Sequence, residues 1–126
     1  MSQEQDAAGA TVDVLARLYA TILSRQGADG SKSYTASLLA GGPETICRKI
    51  GEEAAEVTVE GLKGDGPAIT RESADLIYHL MVLWADAGVR PGDVWAELAR
   101  REGVSGHAEK AARDPTPAPG GEGGGR

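Results

Sequence analysis

A chain of 126 residues carries one domain's worth of side chains, and its 13 Lys and Arg against 19 Asp and Glu leave a formal charge of −6. Taken whole, that charge repels nucleic acid and anionic membrane, so an anionic ligand must be held by a local device such as a metal ion or a few placed cations. The sequence has no apolar run of the roughly 20 residues that cross a bilayer, its start MSQEQDAAGA lacks the basic and apolar regions of a signal peptide, and the single Cys47 builds no internal disulfide framework. The expectation is a soluble, cytoplasmic protein with Cys47 buried as a small apolar side chain.

Residues 1–10 are expected to be disordered, a single domain to run over 11–103, and a flexible Pro/Gly-rich tail to follow over 104–126. The tail ends in DPTPAPGGEGGGR, which has almost no apolar side chain to offset the entropy of ordering. Within the domain a first helix starts at Thr11, an N-cap type, and carries Leu15, Leu18, Tyr19, Ile22 and Leu23 at helical spacing up to Gly27. A loop with one short turn of helix is expected through SYTASLLAGG. The second helix opens at Gly42-Pro43, because Pro at the first helical position forfeits no hydrogen bond, and closes at Gly64. The third, AITRESADLIYHLMVLWADAG, closes at Gly88. The last starts near Pro91-Gly92-Asp93 and carries Val94, Trp95 and Leu98. No segment alternates apolar and polar residues in the manner of a strand.

The fold class is therefore all-α, an antiparallel bundle of about four helices. Leu76, Ile77, Leu80, Met81, Leu83 and Trp84 make the third helix apolar nearly all round, which demands cover on several sides. About 90 folded residues make only a small core, so the bundle is expected to be completed by homodimerisation through this helix.

The acids are placed unusually. On a helical wheel Glu53 falls among Ile46, Ile50 and Val57, and Glu53, Glu56 and Glu60 form a strip beside that apolar face. Glu72, Asp75 and His79 form a second strip beside Leu76 and Leu83 on the next helix. A short connection makes the two helices antiparallel neighbours, so the strips can face each other. Carboxylates gathered at a partly buried seam repel, and a positive partner is required. A hard divalent ion such as Mg²⁺ answers the pattern, with Glu53, Glu56, Glu72 and Asp75 as candidate ligands and Glu52 as a candidate for a second metal or for positioning water. A single EExxE is most often a solvated helix face. The second pair, Glu72-x-x-Asp75, also bordering core residues, shifts the balance toward a site. His79 is open between touching phosphate, buttressing a ligand and being a satisfied core residue.

Together the EExxE and ExxD motifs resemble the signature of the all-α nucleotide pyrophosphohydrolases, the MazG-like superfamily. Ser33-Tyr34-Thr35, Lys49-Ile50-Gly51-Glu52-Glu53 and Ala74-Asp75-Leu76-Ile77-Tyr78-His79 narrow the resemblance, over residues 12 to 102, to the phosphoribosyl-ATP pyrophosphohydrolases. That resemblance implies Mg²⁺-dependent hydrolysis of 1-(5-phosphoribosyl)-ATP between its α and β phosphates, giving phosphoribosyl-AMP and pyrophosphate in the second step of L-histidine biosynthesis. The cyclohydrolase domain that follows in many such proteins is not expected here. In this reading Glu52 and Glu53 are the catalytic candidates, Glu52 orienting or deprotonating water. Lys49, Lys63 and Arg48 are candidate cations for the phosphates, and Ser33, Tyr34, Thr35 and His79 complete the candidate substrate contacts. Two other outcomes stay open: a general nucleoside triphosphate house-cleaning pyrophosphohydrolase, and a non-enzymatic metal-binding bundle. Glu72-x-x-Asp75 in place of Glu-x-x-His argues against a ferritin-like iron site.

Overall fold

The computed structural model describes Thr11 and residues 13–113, so the expectations placed on residues 1–10 and 114–126 lie outside the described residues. Among the described residues there are five helices and no strand. Helix α1 (Asp13–Ser24) is capped as its sequence implies, Thr11 Oγ1 accepting from the Asp13 amide at 3.2 Å. Its inner stripe is Leu15, Leu18, Tyr19 and Ile22, of which Ile22 is fully buried. Leu23, expected with them, is 40% exposed.

Helix α2 (Tyr34–Lys63) starts earlier than expected. The short turn of helix expected within this stretch extends to two turns over residues 34–41, because Ser33, in an extended conformation, caps it by accepting from the Ala36 amide at 3.1 Å. Ala36 and Leu38 then give it a buried side. The helix breaks at Gly42, whose φ of 78° and ψ of −176° belong to a region that side chains bar to other residues. Pro43 begins the longer stretch, as its position implied. Gly64 ends it in the left-handed conformation, its amide returning to the carbonyls of Glu60 and Gly61.

Asp65 caps helix α3 (Gly66–Ala87) by accepting from the Ala68 amide at 3.1 Å. Only Gly64 and Asp65 separate the two helices, so they run antiparallel side by side. Ile22, Leu38, Ile46, Met81, Val82 and Ala85 form the shared core of α1, α2 and α3. Each fully buried side chain of this size contributes about 1.5–3 kcal/mol. Tyr19 Oη donates to the Val89 carbonyl at 2.7 Å and Gln26 Nε2 to the Ala85 carbonyl at 3.2 Å, which fasten α1 to the end of α3. Cys47 is exposed, contrary to the expectation from its residue type. Met81, Val82 and Ala85 are buried on α3, whereas Ile77 remains 42% exposed.

The described residues divide into two compact units, one up to Pro91 and one from Gly92. Most of helix α4 (Pro91–Arg101) and all of helix α5 (Gly106–Arg113) belong to the second. The flexible tail expected from residue 104 is helical over α5. Ser105 caps that helix by accepting from the Ala108 amide at 3.1 Å, and Glu109, almost buried, receives Arg100 at 2.6 Å. The expected domain boundary at residue 103 thus falls inside the second unit. No described helix is long and apolar enough to cross a membrane.

Candidate functional site

The two-residue connection sets which side chains of α2 and α3 lie opposite. Glu56 and Glu72 are each eight residues from Gly64, Glu53 and Asp75 each eleven, and Lys49 and His79 each fifteen. Glu53 shares the inward face of α2 with Ile46, which is why only 7% of it is exposed. Glu56, one turn on, is exposed, and Glu72 on α3 is half-buried. One carboxylate oxygen from each of Glu53, Glu56 and Glu72 lies within 4.8 Å of the other two.

Their electrostatics are those of crowded like charges. Burial first, and then the neighbouring Glu56 carboxyl, push Glu53 above the usual carboxylate range. Glu72 is raised chiefly by sharing a hydrogen bond with Glu56, and next by burial. Glu56 accepts from both and is held low. The three carboxyls therefore influence one another's titration, two of them raised and one lowered. Glu53 Oε2 and Glu72 Oε1 are shut off from solvent and have no hydrogen-bond partner. Buried acceptors left in that state are costly. Hard oxygen donors from two helices, two of them buried and unsatisfied, fit a hard divalent cation such as Mg²⁺.

Asp75, the fourth candidate ligand, is exposed and brings no oxygen into the set of three, although its charge is felt at both Glu53 and Glu72. Glu52 is exposed and accepts from Lys49 Nζ at 3.0 Å, while the same ammonium lies 3.8 Å from Glu53 Oε1. Lys49 is therefore the cation at this seam, its own pKa raised mainly by the Glu52 hydrogen bond. Lys63 sits near the turn, 3.9 Å from Glu60, and Arg48 is exposed on α2.

His79 is the candidate with the most fully defined surroundings. It is 4% exposed, with Nδ1 2.7 Å from the Asp75 carbonyl and Nε2 2.9 Å from Tyr34 Oη. A carbonyl only accepts, so Nδ1 carries a proton; in the neutral ring Nε2 then accepts and Tyr34 donates. Both nitrogens are engaged within the protein, one of them on the backbone of the candidate ligand Asp75, the geometry of a buried histidine with satisfied partners. Ser33 Oγ serves the helix cap, and Thr35 Oγ1 is hydrogen-bonded to Tyr78 Oη. Tyr78 was not singled out from the sequence; its signal was its place beside His79, paralleling Thr35 beside Tyr34. A surface cavity of about 440 Å³, lined by Arg25, Ala28, Asp29, Lys32 and Ser33, shares no residue with the acidic set.

Relatives matching 79% to 81% of this chain share one name. At 59% identity over 100 residues, spanning 79% of this chain and 90% of the other, the chain is similar to the phosphoribosyl-ATP pyrophosphatase of Azospirillum brasilense. It is 56% identical over 100 residues to that of Gluconobacter oxydans (strain 621H), covering 79% of this chain and 75% of the other. For that of Dinoroseobacter shibae (strain DSM 16493 / NCIMB 14021 / DFL 12) the figure is 54% over 102 residues, covering 81% and 100%. A family profile described as phosphoribosyl-ATP pyrophosphohydrolase matches residues 15–102, a span that holds both acidic helices and the Ser33-Tyr34-Thr35 helix start. With paired acids on two neighbouring helices inside that span, the chain belongs to the phosphoribosyl-ATP pyrophosphohydrolase family.

Proposed function

We propose that this chain hydrolyses 1-(5-phosphoribosyl)-ATP to 1-(5-phosphoribosyl)-AMP and pyrophosphate, the second step of L-histidine biosynthesis, in the cytoplasm and with Mg²⁺. Water adds across the anhydride between the α and β phosphates, with pyrophosphate leaving. The observation that carries this reading is the meeting of Glu53, Glu56 and Glu72, with two buried carboxylate oxygens lacking partners. The relatives' shared name supplies the substrate.

Glu53, Glu56 and Glu72 would hold the ion, with Asp75 completing the set from the solvent side. A bound Mg²⁺ supplies charge neutralisation at the phosphates and lowers the pKa of a coordinated water. Glu52 stands at the solvent edge, kept in place by Lys49, and orients or deprotonates the attacking water. Lys49 balances negative charge on the phosphates at the same edge, and Arg48 and Lys63 add positive potential along α2. The chain has no need of a covalent nucleophile, since anhydride hydrolysis depends on positioning and charge stabilisation.

Val59, Leu62 and Ile77 leave apolar surface exposed in the first unit, Leu62 at 86%. This supports completion of the bundle by a second copy, read as a homodimer mass in light scattering. The deciding assay for function is pyrophosphate release from phosphoribosyl-ATP with and without chelator. Equal turnover of ordinary nucleoside triphosphates would make the chain a house-cleaning hydrolase instead. No release from any of them would leave a metal-binding bundle.

A further inference from the structure

Residues 34–41 form a short helix joined to the rest of α2 only through Gly42, in a backbone conformation open to glycine alone. Such a joint imposes little direction by itself. Two adjacent residues at the start of the segment reach two adjacent residues of α3: Tyr34 Oη donates to His79 Nε2, and Thr35 Oγ1 pairs with Tyr78 Oη. The rings reinforce the register. Tyr34 stacks on Tyr78 with centroids 6.3 Å apart and planes 21° apart, and meets His79 edge-on at 5.8 Å.

We propose that Tyr34 and Thr35 are positioning residues, clipping the first two turns of α2 to Tyr78 and His79 and so fixing the substrate-binding edge of the acidic site beside Lys49. A clip with a purely structural purpose would be expected inside the core. Tyr34 is 54% exposed, and Lys49, Glu53 and Glu52 all act electrostatically on its hydroxyl. Its partner His79 lies opposite Lys49, each fifteen residues from the turn. The clip therefore closes the end of the seam remote from the Glu56–Glu72 pair. With His79 neutral, Tyr34 has its proton on the His79 hydrogen bond and does not offer it to a phosphate at the same time. It acts on the substrate through the placement of residues 33–35.

The inference rests on the proposed reading of the site as one for phosphoribosyl-ATP, and the test separates the two. Tyr34→Phe keeps the ring and removes one hydrogen bond; Thr35→Val removes the other. In the full chain with Mg²⁺, each single variant is expected to raise KM for phosphoribosyl-ATP about tenfold, the size of one lost hydrogen bond, with kcat within about twofold. Magnesium affinity, measured by calorimetry, stays unchanged. In the double variant, hydrogen exchange at amides 36–41 accelerates while amides 76–85 keep their protection. An unchanged KM with kcat lowered in step with the folded fraction would mean packing alone, and unaltered exchange over 36–41 would remove the clip. Should the unaltered protein fail to hydrolyse phosphoribosyl-ATP, the functional reading falls, and with it the substrate half of this proposal, while the exchange measurement still decides whether the clip holds the segment.

Discussion

Glu53 on α2 and Glu109 on α5 are buried to the same extent, with 7% of each exposed, and their surroundings are opposite. Glu109 receives Arg100 at 2.6 Å and lies 3.8 Å from Arg101, while the same two guanidinium groups also reach Glu97. Glu53 faces Glu56 and Glu72, keeps an oxygen without a partner, and has Lys49 only at 3.8 Å. Equal burial thus has two outcomes. A carboxylate whose partners are supplied by the chain holds two helices together. One whose partners are withheld is poised for a cation from outside.

The largest effect that could break this comparison is on turnover. Glu53→Gln is expected to lower pyrophosphate release at least a hundredfold, roughly the upper end of what altered metal surroundings cost, and to leave the metal-free melting temperature the same or higher because like-charge repulsion is relieved. Asp75→Asn should follow Glu53→Gln in turnover if it completes the ligand set. Glu109→Gln is expected to do the reverse, leaving turnover within about twofold and loosening the second unit in thermal melting. Loss of activity in Glu109→Gln with retention in Glu53→Gln would invert the assignment.

Next in size is the response to metal. At a hundredfold excess over Kd, Mg²⁺ should stabilise the unaltered protein by about 2.7 kcal/mol, and calorimetric melting of Glu53→Gln should lack that gain.

The pH dependences sharpen the contrast further. Glu53 and Glu72 have folded pKa values above those of the unfolded chain, so the folded state binds more protons in the window above about 4.3, the ordinary glutamate value. Their contribution to metal-free stability is present below that window and is lost as pH rises through it; Glu56, shifted the other way, opposes it in part. Chemical denaturation at a series of pH values should show this decline without Mg²⁺ and its suppression with Mg²⁺.

The smallest expected effect belongs to the second unit. Arg100 first, then Arg101, hold Glu97 down to about 2, so its contribution is present above the ordinary glutamate value and is lost as pH falls toward about 2. Helicity of α4 and α5, followed by exchange or NMR, should fray only in that acid range.

Much of the site was legible because helical periodicity is a strong signal. The wheel put Glu53 among Ile46, Ile50 and Val57, and its near-burial on α2 follows from that placement. The opening at Gly42-Pro43 and the closures at Gly64 and Gly88 were legible for the same local reasons, a fixed ring and left-handed glycine. Cys47 was misjudged because a residue-type tendency was preferred to the wheel, which sets it about 100° from Ile46. Residues 34–41 showed only one of their two helical turns, because the adjacent Gly41 and Gly42 read as a loop and their buried side rests on little more than Ala36 and Leu38. Helix α5 is polar and short, and what orders it is an ion pair with Arg100, nine positions earlier. His79 could not be resolved from sequence, since its second partner, Tyr34, is 45 positions away.

The phase of α3 is set by its buried face, Ala68, Met81, Val82 and Ala85, so the two-residue connection and the core agree on placing Glu72 beside Glu56. A glycine inserted between Gly64 and Asp65 should therefore be absorbed in the hairpin while Glu53, Glu56 and Glu72 stay together, so that the hydrophobic face of α3, and not loop length alone, keeps the acids in register.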